Sequence, residues 1–219
     1  MRIVIAASGG QTKWAGHLGT CSHLVPVADT GQPLLARTVS QALTLTGDVH
    51  VIIPDDSRYA DAADGATAHI RGRDYPSEYA ATRDLWSADD RTVLLLGDVY
   101  FTREALATIV GETRRAYRCF GRYRASKHTG TPYGEIFAAS WWPAHHQQMD
   151  AHLDLVHRTR AAGTVTRPPG WMLLRAWQGT PLAKHRVSVR FFTEIDDLTD
   201  DIDFPADYDR HPAFGGTRG

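Results

Sequence analysis

The sequence predicts an α/β fold: a mostly parallel central sheet with helices on both faces. Three observations carry this expectation. Strand-like runs alternate with helix-like patterns along the chain. The strongest runs, RIVIAAS (2–8) and RTVLLLGD (91–98), are almost continuously apolar, as strands are when both faces of their sheet are covered. Between the runs, apolar residues recur at helical spacing.

The elements follow in order. RIVIAAS is the first strand and ends at a double glycine. PLLARTVSQALTL (33–45) has helical periodicity, with Pro33 suited to a first turn. DVHVIIP (48–54) is a strand closed by Pro54, and DDSRYADAAD (55–64) is a short helix. ATAHI (66–70) is a weak strand, and SEYAATRDLWSA (77–88) is a helix with Ser77 as N-cap. After RTVLLLGD comes the helix FTREALATIVGETRRA (101–116), started by Thr102. YRCFGRY (117–123) and YGEIFAAS (133–140) are strands with no clear helix between them. WWPAHHQQMDAHLDLVHRTRAAG (141–163) and GWMLLRAWQG (170–179) are helices, and RVSVRFFTEID (186–196) is a late strand. DIDFPADYDRH (201–211) turns into a terminal helix, and PAFGGTRG (212–219) is expected to fray. One domain spans 1–219, with a regular nucleotide-side half (1–116) and an acceptor and metal-closing half (117–219).

Composition narrows the function. Apolar residues make up 42% of the 219 and charged residues 22%, with a net charge of -1. A global pull toward nucleic acid or membrane is therefore excluded, and any basic surface is local. No apolar stretch approaches the ~20 residues that span a bilayer. The first run has no charged leader before it, and the two cysteines, Cys21 and Cys119, carry no pairing signature. A soluble cytoplasmic protein is expected. His145, His146, His152 and His157 share one helix without metal spacing and are expected on its surface or in packing.

Five stretches can carry chemistry. The glycine loop after RIVIAAS leaves backbone N–H groups at the carboxyl end of a strand, where an anion binds, or it is simply a tight connection. Asp98 emerges at the tip of the strongest strand, where a carboxylate suits a hard cation or caps a turn. DDLTDDIDFPADYDRH holds seven aspartates. Asp201 and Asp203 flank one residue and project to one side of extended backbone, where they repel unless a cation lies between them. Arg118, Arg122 and Arg124 alternate in a run with Tyr117, Phe120 and Tyr123. On one face of a strand they would suit a phosphorylated acceptor or a nucleic-acid backbone with stacked bases; otherwise they form a solvated face. Glu135 follows Tyr133 and Gly134, where a lone acid takes a proton from an acceptor hydroxyl, bonds a sugar or forms a structural ion pair.

Taken together, RIVIAASGGQTKW, CSHLVPV, GQPLLARTVSQAL, LLLGDVYF, FGRY with TGTPYGEIFA, and DIDFPADYDRH resemble sugar-nucleotide nucleotidyltransferases and MobA-like NTP transferases, in the right order over nearly the whole chain. The resemblance implies a Rossmann-like, glycosyltransferase-A-type fold. It implies Mg²⁺, or Mn²⁺ in its place, held by Asp98, Asp201 and Asp203. A catalytic set of Asp98, Glu135 and Lys13 is expected. Nucleotide contacts are expected from Ala7, Ser8, Gly9, Gly10, Gln11, Lys13, Ser22 and Ser77. Acceptor contacts are expected from Arg118, Arg122, Arg124, Tyr133 and Glu135.

The sequence also departs from the family. Aligning Gly9 with the family's first glycine puts Gln11 at its second and Lys13 at its arginine, with Cys21 and Ser22 at its Pro-Lys. Those positions grip a triphosphate, and losing one such cation costs about 3 kcal/mol or more. The resulting expectation is a glycosyltransferase using a nucleotide diphosphate sugar, with a nucleic-acid base hydroxyl as acceptor. The alternatives are nucleotidyl transfer from an NTP and a catalytically silent nucleotide-binding module.

Overall fold

The computed structural model describes residues 1–8, 12–14, 17–71 and 75–215. Nine strands and seven α-helices are defined among them. The first half contains β1 (Arg2–Ala6), α1 (Leu34–Leu43), β2 (Val49–Ile53), α2 (Ser57–Ala62), β3 (Thr67–Ile70), α3 (Glu78–Ala81), β4 (Thr92–Leu96), β5 (Val99–Tyr100) and α4 (Arg103–Gly111). The second half contains β6 (Tyr117–Arg122), β7 (Glu135–Trp141), α5 (His146–Ala161), α6 (Pro169–Gln178), β8 (Phe192–Glu194), β9 (Asp200–Asp201) and α7 (Pro205–Arg210).

A seven-stranded sheet runs in the order β3-β2-β1-β4-β7-β6-β8. β1 pairs in parallel with β2 and β4, β2 with β3, and β6 with β8; only β7 runs against its neighbours β4 and β6. The mostly parallel sheet is thus present, and strands from both halves of the chain share it. Its apolar runs serve two cores. Ile3, Ile5, Val51 and Leu95 pack beneath Leu35, Val39 and Ile109 of α1 and α4. Val4, Ile52 and Leu94 pack beneath Met149, Leu153, Met172 and Leu173 of α5 and α6. Alternate residues of a strand face opposite ways, so burial on both sides demands the continuous apolar run. A third cluster, including Trp14, Leu34, Tyr100, Ile202 and Phe214, packs where the carboxyl-terminal segment folds back.

Local chemistry sets the boundaries. Thr102 caps α4, its hydroxyl accepting from Ala105 N at 3.0 Å. The helix expected over 77–88 is interrupted. α3 stops at Ala81, and Thr82 Oγ1 donates to Tyr79 O at 2.8 Å, a side-chain bond that competes with the helical ladder before a 3-10 turn at Arg83–Leu85. The late strand shrinks to Phe192–Glu194, and Val189 ahead of it is 85% exposed. Residues 212–214 do not fray: Pro212–Phe214 form a 3-10 turn and Phe214 is buried against Tyr100 and Tyr208. Among the described residues, no helix is long and apolar enough to cross a membrane. Both cysteines are free and buried.

Candidate active site

The two acidic stretches lie about a hundred residues apart in sequence, and a short ribbon joins them. β4 ends at Leu96, and Gly97 lets the chain turn against β1. A Cβ at Gly97 would stand 2.8 Å from Ala6 O and from the Ala7 side chain, so only glycine fits there. β5 then pairs antiparallel with β9, Val99 opposite Asp201, and Ile202 N donates to Asp98 O at 2.9 Å. As a result, one carboxylate oxygen from each of Asp98, Asp201 and Asp203 lies within 4.8 Å of the others. Lys13 Nζ donates to Asp203 Oδ2 and sits 4.5 Å over the Phe204 ring. Trp14 Nε1 donates to Asp203 O at 3.1 Å.

The electrostatics are those of crowded acids. Burial, then the charges of Asp203 and Glu78, push Asp98 up to about 7. Burial, then Asp98 and Asp203, push Asp201 well above the carboxylate range. Glu135 rises to about 8, through burial first and Asp203 next, against the opposing pull of Arg122. Burial works against the Lys13 ammonium, yet its bond to Asp203 and the charges of Asp203, Asp201 and Asp98 hold its pKa above the ordinary lysine value. Asp201 Oδ1 is buried with no hydrogen-bond partner among the described residues. Three converging carboxylates, one of which carries an orphaned buried oxygen, fit a hard divalent cation, which would relieve their repulsion.

The cluster opens into a cleft of about 860 Å³ over the carboxyl ends of β1 and β4. Lys13, His23, Asp98, Tyr133, Glu135, Asp201 and Asp203 line it. Of the other expected contacts, some fall outside the described residues and some are not on the cleft wall. Gly9, Gly10 and Gln11 fall outside the described residues. Ala7, Ser8 and Ser22 are buried and are not on the described cleft wall, although His23 beside Ser22 is. Ser77, expected at the nucleotide, caps α3 instead. Its hydroxyl accepts from Ala80 N at 3.2 Å and bonds His157 Nε2 of α5 at 2.9 Å.

The arginine face requires correction. A bulge between Phe120 and Gly121 breaks the alternation, and β7 and β8 flank β6. Arg118 Nε donates to Thr193 Oγ1 and its Nη1 to Val189 O, each at 2.6 Å. Arg122 is buried and pairs with Asp200 at 2.8 Å. Arg124 lies on the Tyr123 ring, 5.2 Å from its centre. None of the three lines the cleft. Sequence reasoning also missed other residues that line the cleft: Glu78, Tyr79, Arg167, Trp171, Arg175 and His185. Their one legible signal was Pro168-Pro169-Gly170. A Cβ at Gly170 would stand 3.0 Å from Tyr79 Oη and 3.2 Å from Ile136 Cδ1, so α6 enters against α3 and β7 there.

No family model and no curated protein matches the chain. Solved structures do. A putative glucose-1-phosphate thymidylyltransferase from Bacillus anthracis superposes with a TM-score of 0.64 at 13% identity, over 99% of this chain and 96% of that one. The CTP:phosphocholine cytidylyltransferase of Streptococcus pneumoniae gives 0.59 at 14% identity, over 94% and 95%. A CMP:2-keto-3-deoxy-manno-octonic acid synthetase complexed with CTP gives 0.57 at 14% identity, over 94% and 93%. The chain thus has the Rossmann-like fold of nucleotidyltransferases, nearly end to end. At these identities the likeness is one of fold.

Proposed function

We propose that the chain is a divalent-metal-dependent nucleotidyltransferase that moves a nucleotidyl group from an NTP to a small acceptor. The carrying observation is the Asp98, Asp201 and Asp203 cluster beside Lys13, at the carboxyl end of a sheet with this fold. The reading departs from the glycosyl transfer expected from the sequence, because the end-to-end structural likenesses are to nucleotidyltransferases. Nucleotide is assigned to the 1–116 half and acceptor to the 117–219 half.

When bound, a divalent cation supplies charge neutralisation to the phosphates. Asp98, Asp201 and Asp203 would hold it. Lys13 steadies negative charge at the same end of the cleft. An acceptor oxygen attacks the α-phosphorus, the α–β bridging P–O bond breaks, and pyrophosphate leaves. Glu135 lines the same cleft and would take the acceptor's proton once ionised, which a pKa near 8 places on the alkaline side of neutrality in the metal-free chain. No nucleic-acid acceptor is proposed, since Arg118 and Arg122 are bonded within the protein and none of the three arginines lines the cleft. Incubation with MgATP, MgCTP, MgGTP, MgUTP or Mg-dTTP and small phosphorylated acceptors should release pyrophosphate. Glycosyl transfer stays as a second reading because Ser22 replaces a cation. Release of a nucleoside diphosphate from nucleotide sugars, with no pyrophosphate from any NTP, would select it.

Stability should depend on pH in a defined sense. Asp98 and Glu135 keep protons in the folded chain that the unfolded chain has already lost, since their folded values are about 7 and 8. Their contribution is complete below the ordinary carboxylate range and disappears as pH rises through 7 to 8. Without divalent ions, Tm should fall between pH 5 and 8.5. Adding Mg²⁺ should restore much of that loss at the alkaline end, because it binds the deprotonated acids. A Tm independent of pH and of Mg²⁺ would count against the cluster as a cation site.

A further inference from the structure

We propose that Arg167 and Arg175, which line the cleft, hold the phosphate of a phosphorylated small acceptor. Naming the ligand an acceptor rests on the nucleotidyltransferase reading; the anion site itself does not.

Arg175 is 3% exposed. A guanidinium that deep normally has a carboxylate against it. Arg122, almost as buried, has Asp200 at 2.8 Å. Arg175 has only neutral acceptors: its Nε donates to Lys184 O at 2.8 Å and its Nη1 to Trp171 O at 3.2 Å. Among the described residues no carboxylate forms an ion pair with Arg175 or Arg167. That includes the five acids of the same cleft, Glu78, Asp98, Glu135, Asp201 and Asp203.

The two cations bond adjacent residues, Arg175 the Lys184 carbonyl and Arg167 the His185 ring. Side chains on a helix lean toward its amino end, so Arg175 reaches back along α6, and its guanidinium lies 5.1 Å from the centre of the Trp171 ring. Arg167 sits two residues before α6, its Nη1 donating to His185 Nδ1 at 3.1 Å. Burial first, then the charge of Arg167, lowers the Arg175 pKa. The two cations therefore repel each other, and both line the cleft. The positive end of α6 adds to the same field.

Charge counting chooses the anion. Two guanidiniums match a phosphate monoester, which carries about −1.5 to −2 at neutral pH. A carboxylate would neutralise only one of them. Arg175 spends Nε and Nη1 on backbone carbonyls, and among the described residues its Nη2 makes no hydrogen bond, which leaves that group to donate to a phosphate oxygen.

The test is thermal unfolding of the full chain with inorganic phosphate, against acetate at equal ionic strength. At tenfold above its dissociation constant, phosphate should raise Tm by about 3–6 °C, and acetate by much less. Arg167→Gln and Arg175→Met should each lose most of that shift; Arg167 is the less buried, so its variant reads even if the other fails to fold. The shift should persist when an Mg-NTP is already bound, which separates an acceptor phosphate from the nucleotide's own. An unresponsive wild type, equal shifts with acetate, a full response in both variants, or a response abolished by Mg-NTP would each overturn the site. A phosphate response without any Mg-NTP response would overturn the transfer reading instead and leave the anion site standing.

Discussion

Asp98→Asn is expected to lower the transfer rate by at least a hundredfold to a thousandfold, about 3–4 kcal/mol of transition-state stabilisation, while leaving the fold intact or slightly firmer. The separation of the two effects follows from the position. Asp98 is held through its backbone, whose carbonyl accepts from Ile202 N at 2.9 Å, and asparagine keeps that bond. Its carboxyl group is the crowded part: burial and the charges of Asp203 and Glu78 raise its pKa to about 7. Removing a repelled acid from a half-buried site should not destabilise, and a change within about 1 kcal/mol is expected, toward stability. The same variant should flatten the fall of Tm between pH 5 and 8.5 and weaken the Mg²⁺ response. Pyrophosphate release and thermal unfolding, measured on one preparation, check both halves. An active variant would remove Asp98 from the mechanism; an inactive but strongly destabilised one would make it a structural residue.

Asp98 and the Asp201–Asp203 pair were legible because each signal is short and local. One is an acid at the tip of an apolar run, and the other is two acids with the period of extended backbone. The ribbon of β5 and β9 that joins them is only two residues long on each side, too short for any periodicity to announce. The doubly covered sheet was legible for the opposite reason, since continuous apolar runs leave few other solutions. Partnership was not legible. YRCFGRYR shows three alternating charges, but not that Asp200, 78 residues on, takes one of them into the interior. Nor does GWMLLRAWQ show that Arg175 goes without a carboxylate, because that depends on which segments pack against α6.

Arg122→Met is expected to cost about 3–5 kcal/mol of stability, the usual penalty for leaving one partner of a buried ion pair behind. In a chain of this size that is a fall in Tm of about 6–20 °C. Arg122 is 6% exposed and Asp200 1%. Around Asp200 the arrangement is dense: Arg122 Nη2 and Asp201 N donate to Oδ1 at 2.8 and 3.0 Å, while Ser126 Oγ and Thr129 Oγ1 donate to Oδ2. Arg122 Nη1 also donates to Tyr133 O at 3.0 Å, tying the same pair to the cleft wall. The neutral donors remain in the variant but do not balance the buried charge. Because Asp200 orients Asp201 through its backbone, Mg²⁺ binding should weaken along with stability. Adding Asp200→Asn to Arg122→Met should recover part of the loss, since no unpaired charge then remains, and the double-mutant cycle would measure the coupling. A solvated arginine on an acceptor face behaves differently. Its replacement would change stability by no more than about 0.5 kcal/mol and would show up only in acceptor affinity and its salt dependence. Urea unfolding of the wild type, the two single variants and the double variant decides between the two accounts. A neutral Arg122→Met would return the arginine to the surface role its sequence context suggested.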